Sequence, residues 1–436
     1  MRWNHLWNQK LFSNTTLTFS NYGLEVASAF GTEFNIENEL EEISLSYQSG
    51  IRDIGLKIDF DYLPNPDHFI RFGIGLTHHH FKPCNFDLRE LDTREDYNFD
   101  ITVGQDNINA LETQVYVEDD WKINDRFKVN LGAHMLGFYV DNTFYLSIQP
   151  RLSGRFLLDD QSSIKASVTT MRQFIHLLAF DGIGLPTDLW LASTTSVKPQ
   201  DSYQFAIGYA RELDKSFELS IEAYYKKMDN LIAYQEGSGL FEFSDWQSRI
   251  TQGEGKSYGA EVFFQKRLGR LTGWVGYTLS WTNRQFDDLN FGETFPYRYD
   301  RRHDISIVGQ YKISDRVNIS GTWMYGTGNA VTLSSGRYYA AIDNGQYTNF
   351  EDVNYYEERN NFRMGAYHRL DVGINFRKKK KNHTRTWSFG AYNTYARKNP
   401  FFIYDDIDFV NGERTYVLKQ ASLFPLIPYF NYSFEF

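Results

Sequence analysis

The sequence predicts an all-β chain that crosses a membrane as an antiparallel, up-and-down β-barrel. Three observations carry that reading. Apolar and polar residues alternate to the last residue, helical periodicity is nowhere sustained, and short turns take turns with long polar loops. Period-two alternation gives each strand one apolar and one polar face. The final segment shows it: Phe430, Tyr432, Phe434 and Phe436 interleave with Asn431, Ser433 and Glu435.

A length of 436 residues accommodates a large core or several domains, so length alone does not choose. Aromatic residues make up 17% of the chain, yet mean hydropathy is −0.50. The large apolar groups are therefore spread one position in two. No stretch approaches the ~18 consecutive apolar residues of a membrane helix, and the run Ile175 to Phe180 is far shorter. The net charge of −10 and a pI near 5.5 argue against nucleic acid as a partner. A single cysteine, Cys84, excludes an intramolecular disulfide framework without fixing the compartment. The start, Met1 to Trp7, lacks the continuous apolar region of a secretory signal.

Taken in order, the segments register cleanly. Leu40 to Tyr62 reads as one strand long enough to continue beyond the membrane. Ile70, Phe72, Ile74 and Leu76 oppose Arg71, Gly73, Gly75 and Thr77; Gly73 and Gly75 read as small lumen-facing residues, since no helix follows to make a dinucleotide fingerprint. Phe127, Val129, Leu131 and Ala133 oppose Lys128, Asn130 and Gly132. Phe217 to Tyr225 and Leu370 to Phe376 repeat the rule. Short connections fall at Lys122 to Asp125, Leu158 to Gln161, Leu213 to Ser216, Leu268 to Arg270 and Lys312 to Asp315. Long ones run from His80 to Asn107, Phe174 to Pro199, Ile232 to Gly255, Asn283 to Arg301 and Thr327 to Asn361. The basic run Arg377 to Lys381 lies between alternating segments and reads as a solvated turn.

A soluble β-sandwich also alternates. Its strands usually have roughly five or six residues, whereas these often exceed about nine, near the ~10 of a tilted membrane strand. With long loops outside and short turns inside, about seventeen crossings result. An odd number sets the first and last strands in the same direction, so they cannot pair antiparallel. The expectation is an incomplete barrel with strands before Met1 and two raw edges, poorly stable alone.

Several phrases, in order, resemble TonB-dependent outer-membrane receptors, particularly the large Bacteroidetes-type transporters. Arg2-Trp3-Asn4-His5 leads through Lys10 to Asn14 and Ser20-Asn21-Tyr22, and Glu118 to Ile123 resembles the family's strand end and periplasmic turn. Gln149-Pro150-Arg151-Leu152, Lys198-Pro199-Gln200 with Tyr203, and Glu222 to Lys227 follow. Gly255 to Glu261, Tyr299 to Asp304, Tyr392-Asn393 and Arg397 to Pro400 complete the series. The resemblance implies a 22-stranded barrel with a plug. This chain, residues 1–436, would be its C-terminal portion, with about 17 of those strands and without the plug.

The resemblance further implies a Gram-negative outer-membrane location and TonB-coupled uptake of a scarce nutrient bound by the long extracellular loops. The alternatives are a passive porin or channel and, third, an outer-membrane enzyme. Implied partners are outer-membrane lipid, the barrel assembly machinery, the TonB complex through the plug region, and the nutrient, with a surface lipoprotein as a further candidate. The aromatic end formed by Phe436, Phe434 and Tyr432 resembles the signal read by the assembly machinery.

Candidate chemistry is thin. Trp121, Tyr225, Trp281 and Trp323 fall near strand ends, where aromatic girdles sit. His78, His79, His80 and Cys84 offer metal-ligand types, but adjacent strand residues point to opposite faces, so a surface loop is the better reading. Asp300 to Asp304 forms a polar cluster in which Asp304 could pair with arginines. Trp190, Trp246, Tyr338, Tyr339, Tyr355 and Tyr356 could stack on a ligand or pack the loops together. The sequence assigns no catalytic residue, cofactor or metal, and leaves the ligand-binding residues and the ligand open.

Overall fold

The computed structural model describes residues 1–34, 39–92, 97–104, 106–179, 189–238, 245–343, 348–410 and 413–436. Among them, one antiparallel sheet of 19 strands takes in most of the chain. Two members, Tyr97–Gly104 and Phe295–Pro296, only lengthen loops, which leaves seventeen crossing strands. In order these are Arg2–Asn8, Leu11–Phe34, Glu39–Asn65, His68–Asp92, Ile108–Lys122, Phe127–Val140, Thr143–Leu157, Ser162–Gln173 and Gln200–Glu212. Phe217–Tyr234, Ile250–Lys266, Leu271–Gln285, His303–Lys312, Val317–Gly326, Tyr367–Lys379, Thr384–Tyr392 and Ile427–Glu435 follow. Each pairs with its neighbour in this order, so the expected meander and its crossing number are both observed.

Among the described residues, Arg2–Asn8 pairs only with Leu11–Phe34, and Ile427–Glu435 only with Thr384–Tyr392. The sheet therefore has two edges in this chain, and the edge strands run in the same direction.

Alternation sorts the two faces. On Ile108–Lys122, Leu111, Val115, Val117 and Trp121 are exposed. Glu112, Tyr116 and Glu118 point the other way and meet His79, Asp59 and Arg71 of neighbouring strands, and Gln114 meets the His134 ring. A continuous exposed apolar face backed by a polar one is the signature of a lipid-facing wall. Aromatic rings mark its borders. Tyr225, Tyr258 and Trp281 stack in a row across three strands, at 6.5 and 5.3 Å between centroids. Trp121, beside its turn, stacks on His68 at 5.5 Å, and Trp323 on Tyr325 at 6.2 Å. The last strand carries a similar row: Tyr432 lies 4.6 Å from Trp387, and Phe434 4.7 Å from Phe436.

The short turns share one chemistry. The Asn124 side chain accepts hydrogen bonds from the N–H groups of Arg126 and Phe127, both at 2.9 Å. Asn8, Asn65 and Ser314 serve the residues two and three places on in the same way. Such side chains satisfy turn N–H groups locally, which stops each strand. Arg377 to Lys381 is exposed and runs into the turn closed by Lys380 N–H on the His383 carbonyl, 2.8 Å. Among the described residues, one short turn breaks the expected alternation. Asp141 and Asn142, at φ 45° and 61°, make a two-residue hairpin at the long-loop end.

Glycines on the inner face leave room for larger neighbours. A Cβ at Gly73 would meet the Tyr116 ring, and one at Gly390 the ring of Tyr429. The small-residue reading of Gly73 and Gly75 thus has a steric cause.

Several of the long connections carry strands of their own. The first carries Tyr97–Gly104 back onto the His68–Asp92 extension, and the last ones hold the hairpins Gly336–Asp343 with Thr348–Tyr355 and Pro400–Val410 with Glu413–Ser422. The segment expected as an outer loop from Phe174 to Pro199 departs most. Its strands Ile175–Leu178 and Leu189–Ala192 form a hairpin folded against the inner wall. Apolar burial explains the departure, because the wall there is itself apolar.

Candidate ligand-binding lumen

The inner wall has two zones. Toward the short turns it is ionic. Lys57 pairs with Asp59 at 2.9 Å, the Tyr116 hydroxyl donates to Asp59 at 2.6 Å, and Arg71 meets Glu118 at 2.5 Å. Lys128 pairs with Asp120 at 2.5 Å on the next strands. Lys57 and Asp59 share one strand, whereas Arg71–Glu118 and Lys128–Asp120 join neighbouring strands and favour their register.

Toward the long loops the wall becomes apolar. Tyr47, Phe81, Phe138 and Val140 are fully buried there, under Leu178, Leu189 and Leu191 of the hairpin. Phe138 lies face to face with Phe174, 4.7 Å apart at 3°. One hairpin strand touches Glu39–Asn65 and His68–Asp92, the other Phe217–Tyr234. In the sheet, His68–Asp92 and Phe217–Tyr234 are six steps apart, about 29 Å along the wall at the usual strand spacing. Only a strongly curved sheet brings both against one hairpin. The hairpin is therefore a roof inside the lumen.

His176 fastens it. The imidazole is completely buried, 3.0 Å from the Ser193 hydroxyl through Nε2 and 3.0 Å from the Gln200 amide nitrogen through Nδ1. The Gln200 amide donates, so Nδ1 accepts and Nε2–H donates to Ser193. Burial pushes the His176 pKa down to about 4, against a smaller opposing effect of a hydrogen bond to the Lys198 backbone.

Beneath the roof lies a cavity of about 730 Å³. Phe174, Ile175 and Trp190 cover it, and Asp53, Glu112, Arg151 and Lys226 are among its wall residues. His79 stands behind the acidic side, only 6% exposed, with Nδ1 2.8 Å from Asp53 and Nε2 3.9 Å from Glu112. Among the described residues, Arg151 and Lys226 meet no carboxylate at ion-pair distance.

The cluster Asp300 to Asp304 does different work. Asp300 is 1% exposed; it accepts the Thr282 N–H at 2.6 Å and pairs with Arg302 and with Arg363 of a distant loop. Arg363 also donates to the Asp300 carbonyl at 2.6 Å. Arg302 lies over the Trp281 ring at 4.4 Å. Asp304 does meet an arginine, Arg301, at 3.7 Å, and His303 turns away to Tyr277 at 3.0 Å. The cluster is a clasp between loops, and its strongest partner, Arg363, carries no local signal in the sequence.

The remaining candidates scatter. Trp246 is buried in the apolar core, Trp190 borders the cavity, and Tyr338, Tyr339, Tyr355 and Tyr356 are exposed on the loops. His79 faces inward, whereas His80 bonds Asn109 at 2.9 Å on the other face. The Cys84 side chain lies outside the described residues. Among those residues no group of histidine, cysteine and carboxylates stands close enough to hold a metal ion. Tyr432, Phe434 and Phe436 lie on the exposed face.

The family described as TonB dependent receptor-like, beta-barrel matches residues 2–393. No curated protein matches the chain. Among solved structures, the ferripyoverdine receptor of Pseudomonas aeruginosa is similar over 100% of this chain and 55% of its own, with 14% identity and a TM-score of 0.61. The ferric-catecholate import receptor Fiu of E. coli K12 gives 100% and 63%, 12% identity and 0.61. The ferric preacinetobactin receptor of Acinetobacter baumannii gives 100% and 62%, 10% identity and 0.57. The chain thus spans between about half and two thirds of the receptors it resembles. These neighbours are receptors and transporters rather than enzymes. With a lipid-facing wall, an ionic lumen and a family match over most of its length, the chain belongs to the TonB-dependent receptor β-barrel family of the Gram-negative outer membrane.

Proposed function

We propose that this chain is the barrel of a receptor that takes up a scarce nutrient through energy supplied by the TonB complex. The observation that carries the reading is the roofed cavity. An apolar hairpin held inside the lumen suits a gated receptor that encloses its ligand, whereas a passive channel needs an open bore. The long-strand side and the loop hairpins supply further contact surface outside. Tyr432, Phe434 and Phe436, exposed at the end of the last strand, are proposed as the segment handed to the barrel assembly machinery, and coupling to TonB would run through a plug.

The test is uptake in cells carrying the receptor at its native length, with and without TonB, using labelled ferric catecholate, ferric hydroxamate, cobalamin and oligosaccharide probes. Uptake of one probe that stops when TonB is deleted or a protonophore is added is the expected result. Uptake that continues unchanged under both treatments would make the barrel a passive channel.

A further inference from the structure

We infer that the outward face of the barrel carries a binding site for the phosphorylated sugar headgroup of an outer-leaflet glycolipid, formed by Arg52, His80 and Lys82 around a depression floored by Gly23 and Gly50. The site is separate from uptake and needs only the outer-membrane location.

Height along the wall comes first. On Ile108–Lys122 the outward apolar residues run from Trp121, beside its short turn, to Leu111, ten residues back. At about 3.4 Å per residue and a tilt of about 40°, that stretch rises about 25 Å, the height of the apolar band of an outer-membrane barrel. Leu111 stands level with His78, Ile54 and Phe19 on the neighbouring strands. The next outward row is Asn109, His80, Arg52 and Asn21, and Lys82 lies opposite Gly50 one row further on. These rows therefore begin where hydrocarbon gives way to headgroups at the long-loop end, which is the outer surface.

A depression of about 600 Å³ opens at that level, with Arg52, His80, Lys82, Asn21, Asn85 and Glu25 among its lining residues. Gly23 and Gly50 pair across two strands and raise no side chain in its floor. A Cβ at Gly50 would strike the Tyr22 carbonyl oxygen, 2.6 Å away, whereas one at Gly23 would meet nothing within 4 Å. Arg52 and Lys82 outweigh Glu25, so the depression is net positive. Lys82 donates to the Gln48 side chain at 2.9 Å, and His80 bonds Asn109 at 2.9 Å, which holds both beside the depression. Arg52 stands opposite His80 and diagonal to Lys82, close enough for both cations to meet one phosphate. The amides of Asn21 and Asn85 suit sugar hydroxyls, and the exposed Ile54, Leu76 and Leu111 below suit acyl chains.

A plug fills the lumen and does not reach this face. Arg52, His80 and Lys82 belong to Glu39–Asn65 and His68–Asp92, which have strands of this chain on both sides. A strand added beyond Leu11–Phe34 would run about 10 Å from the strand of Arg52 and farther from that of Lys82.

The test titrates the native-length receptor, in neutral detergent, with lipid A bearing two phosphates, the same lipid without phosphates, and phosphatidylglycerol, and counts bound lipid by native mass spectrometry. Lipid A is expected to bind saturably. Removing its phosphates, or combining Arg52→Gln with Lys82→Gln, should weaken binding by about tenfold or more. Gly23→Leu fills the depression without altering a charge and should also weaken it, whereas Arg126→Gln at a short turn should not. Equal binding of the phosphorylated and phosphate-free lipids overturns the assignment, as does phosphatidylglycerol binding as tightly as lipid A. Displacement by equimolar inorganic phosphate would make this a free-phosphate site and overturn it too, and an equal loss in Arg126→Gln would reduce it to general surface charge. Unchanged thermal unfolding shows that each variant is intact, and the comparison of lipids on the unaltered receptor stands without the variants.

Discussion

On one side of the barrel an outer segment is held by apolar burial; on the other the loops are held by a buried carboxylate. Strands on the first side run to 24, 27 and 25 residues in Leu11–Phe34, Glu39–Asn65 and His68–Asp92. A membrane crossing takes only about ten, so these strands project a wall on which the Ile175 to Ala192 hairpin can bury side chains. Strands on the second side, Val317–Gly326 and Thr384–Tyr392, have 10 and 9 residues and stop at the boundary. Loops there are tied to one another through Asp300, Arg302 and Arg363, beside a smaller apolar cluster of Phe286, Leu289 and Phe295 with Leu231. The longest strands thus offer the larger apolar wall, and the hairpin fastened on it leaves a covered cavity beneath.

Truncating the apolar side should show the largest effect. Phe138→Ala removes the ring that stacks on Phe174 and leaves a void among fully buried neighbours. A loss of about 3–5 kcal/mol in hairpin docking is expected. Amide hydrogen exchange should rise across 174–179 and 189–193 while 297–303 stays protected. Equal acceleration in both segments would mean that the two sides are one cooperative unit.

Acid should sharpen the same contrast. His176 has a pKa of about 4 when docked, lowered by burial, against about 6.5 when exposed. Its contribution to docking is therefore complete above pH 6.5, falls as pH drops because the undocked hairpin takes up a proton that the docked one refuses, and levels off below about 4. The span corresponds to roughly 3 kcal/mol. Exchange of the hairpin amides measured from pH 7 to 4, corrected for intrinsic rates, should show this slope in the native protein. His176→Gln should flatten it, and a slope that survives the substitution would assign the titration to another group.

Much of this architecture was legible because period two is a local property. Phe127 to Ala133 and Phe217 to Tyr225 announce their faces by themselves, and Asn124 announces its turn. Parity even places Lys226 opposite Tyr225, on the lumen side. What was not legible depends on partners far along the chain. Ile175 to Leu178 is an apolar run in a long connection, and nothing within it says whether it packs inward or faces out. The answer comes from Tyr47, Phe81 and Phe138, inner residues of strands that outgrow the membrane. His176 likewise draws its role from Ser193 and Gln200. The Asp300 cluster was visible as a polar phrase, but its purpose rests on Arg363, 63 residues away.

Asp300→Asn probes the polar side and should have the smallest of these effects. The substitution keeps the shape and the acceptor for the Thr282 N–H but removes the charge that Arg302 and Arg363 meet. Both arginines keep some access to water, at 27% and 31% of side-chain exposure, so neither is left as a fully buried charge. The expected cost is about 1–3 kcal/mol, toward the lower end. It should appear as faster exchange at 297–303 and 362–364, with the hairpin at 175–178 and 189–192 unchanged. Arg363→Met should match it, and the double variant should cost less than the sum of the two, because both changes remove one interaction. Strict additivity would mean that Asp300 and Arg363 act independently, and the clasp would then reduce to its backbone hydrogen bonds.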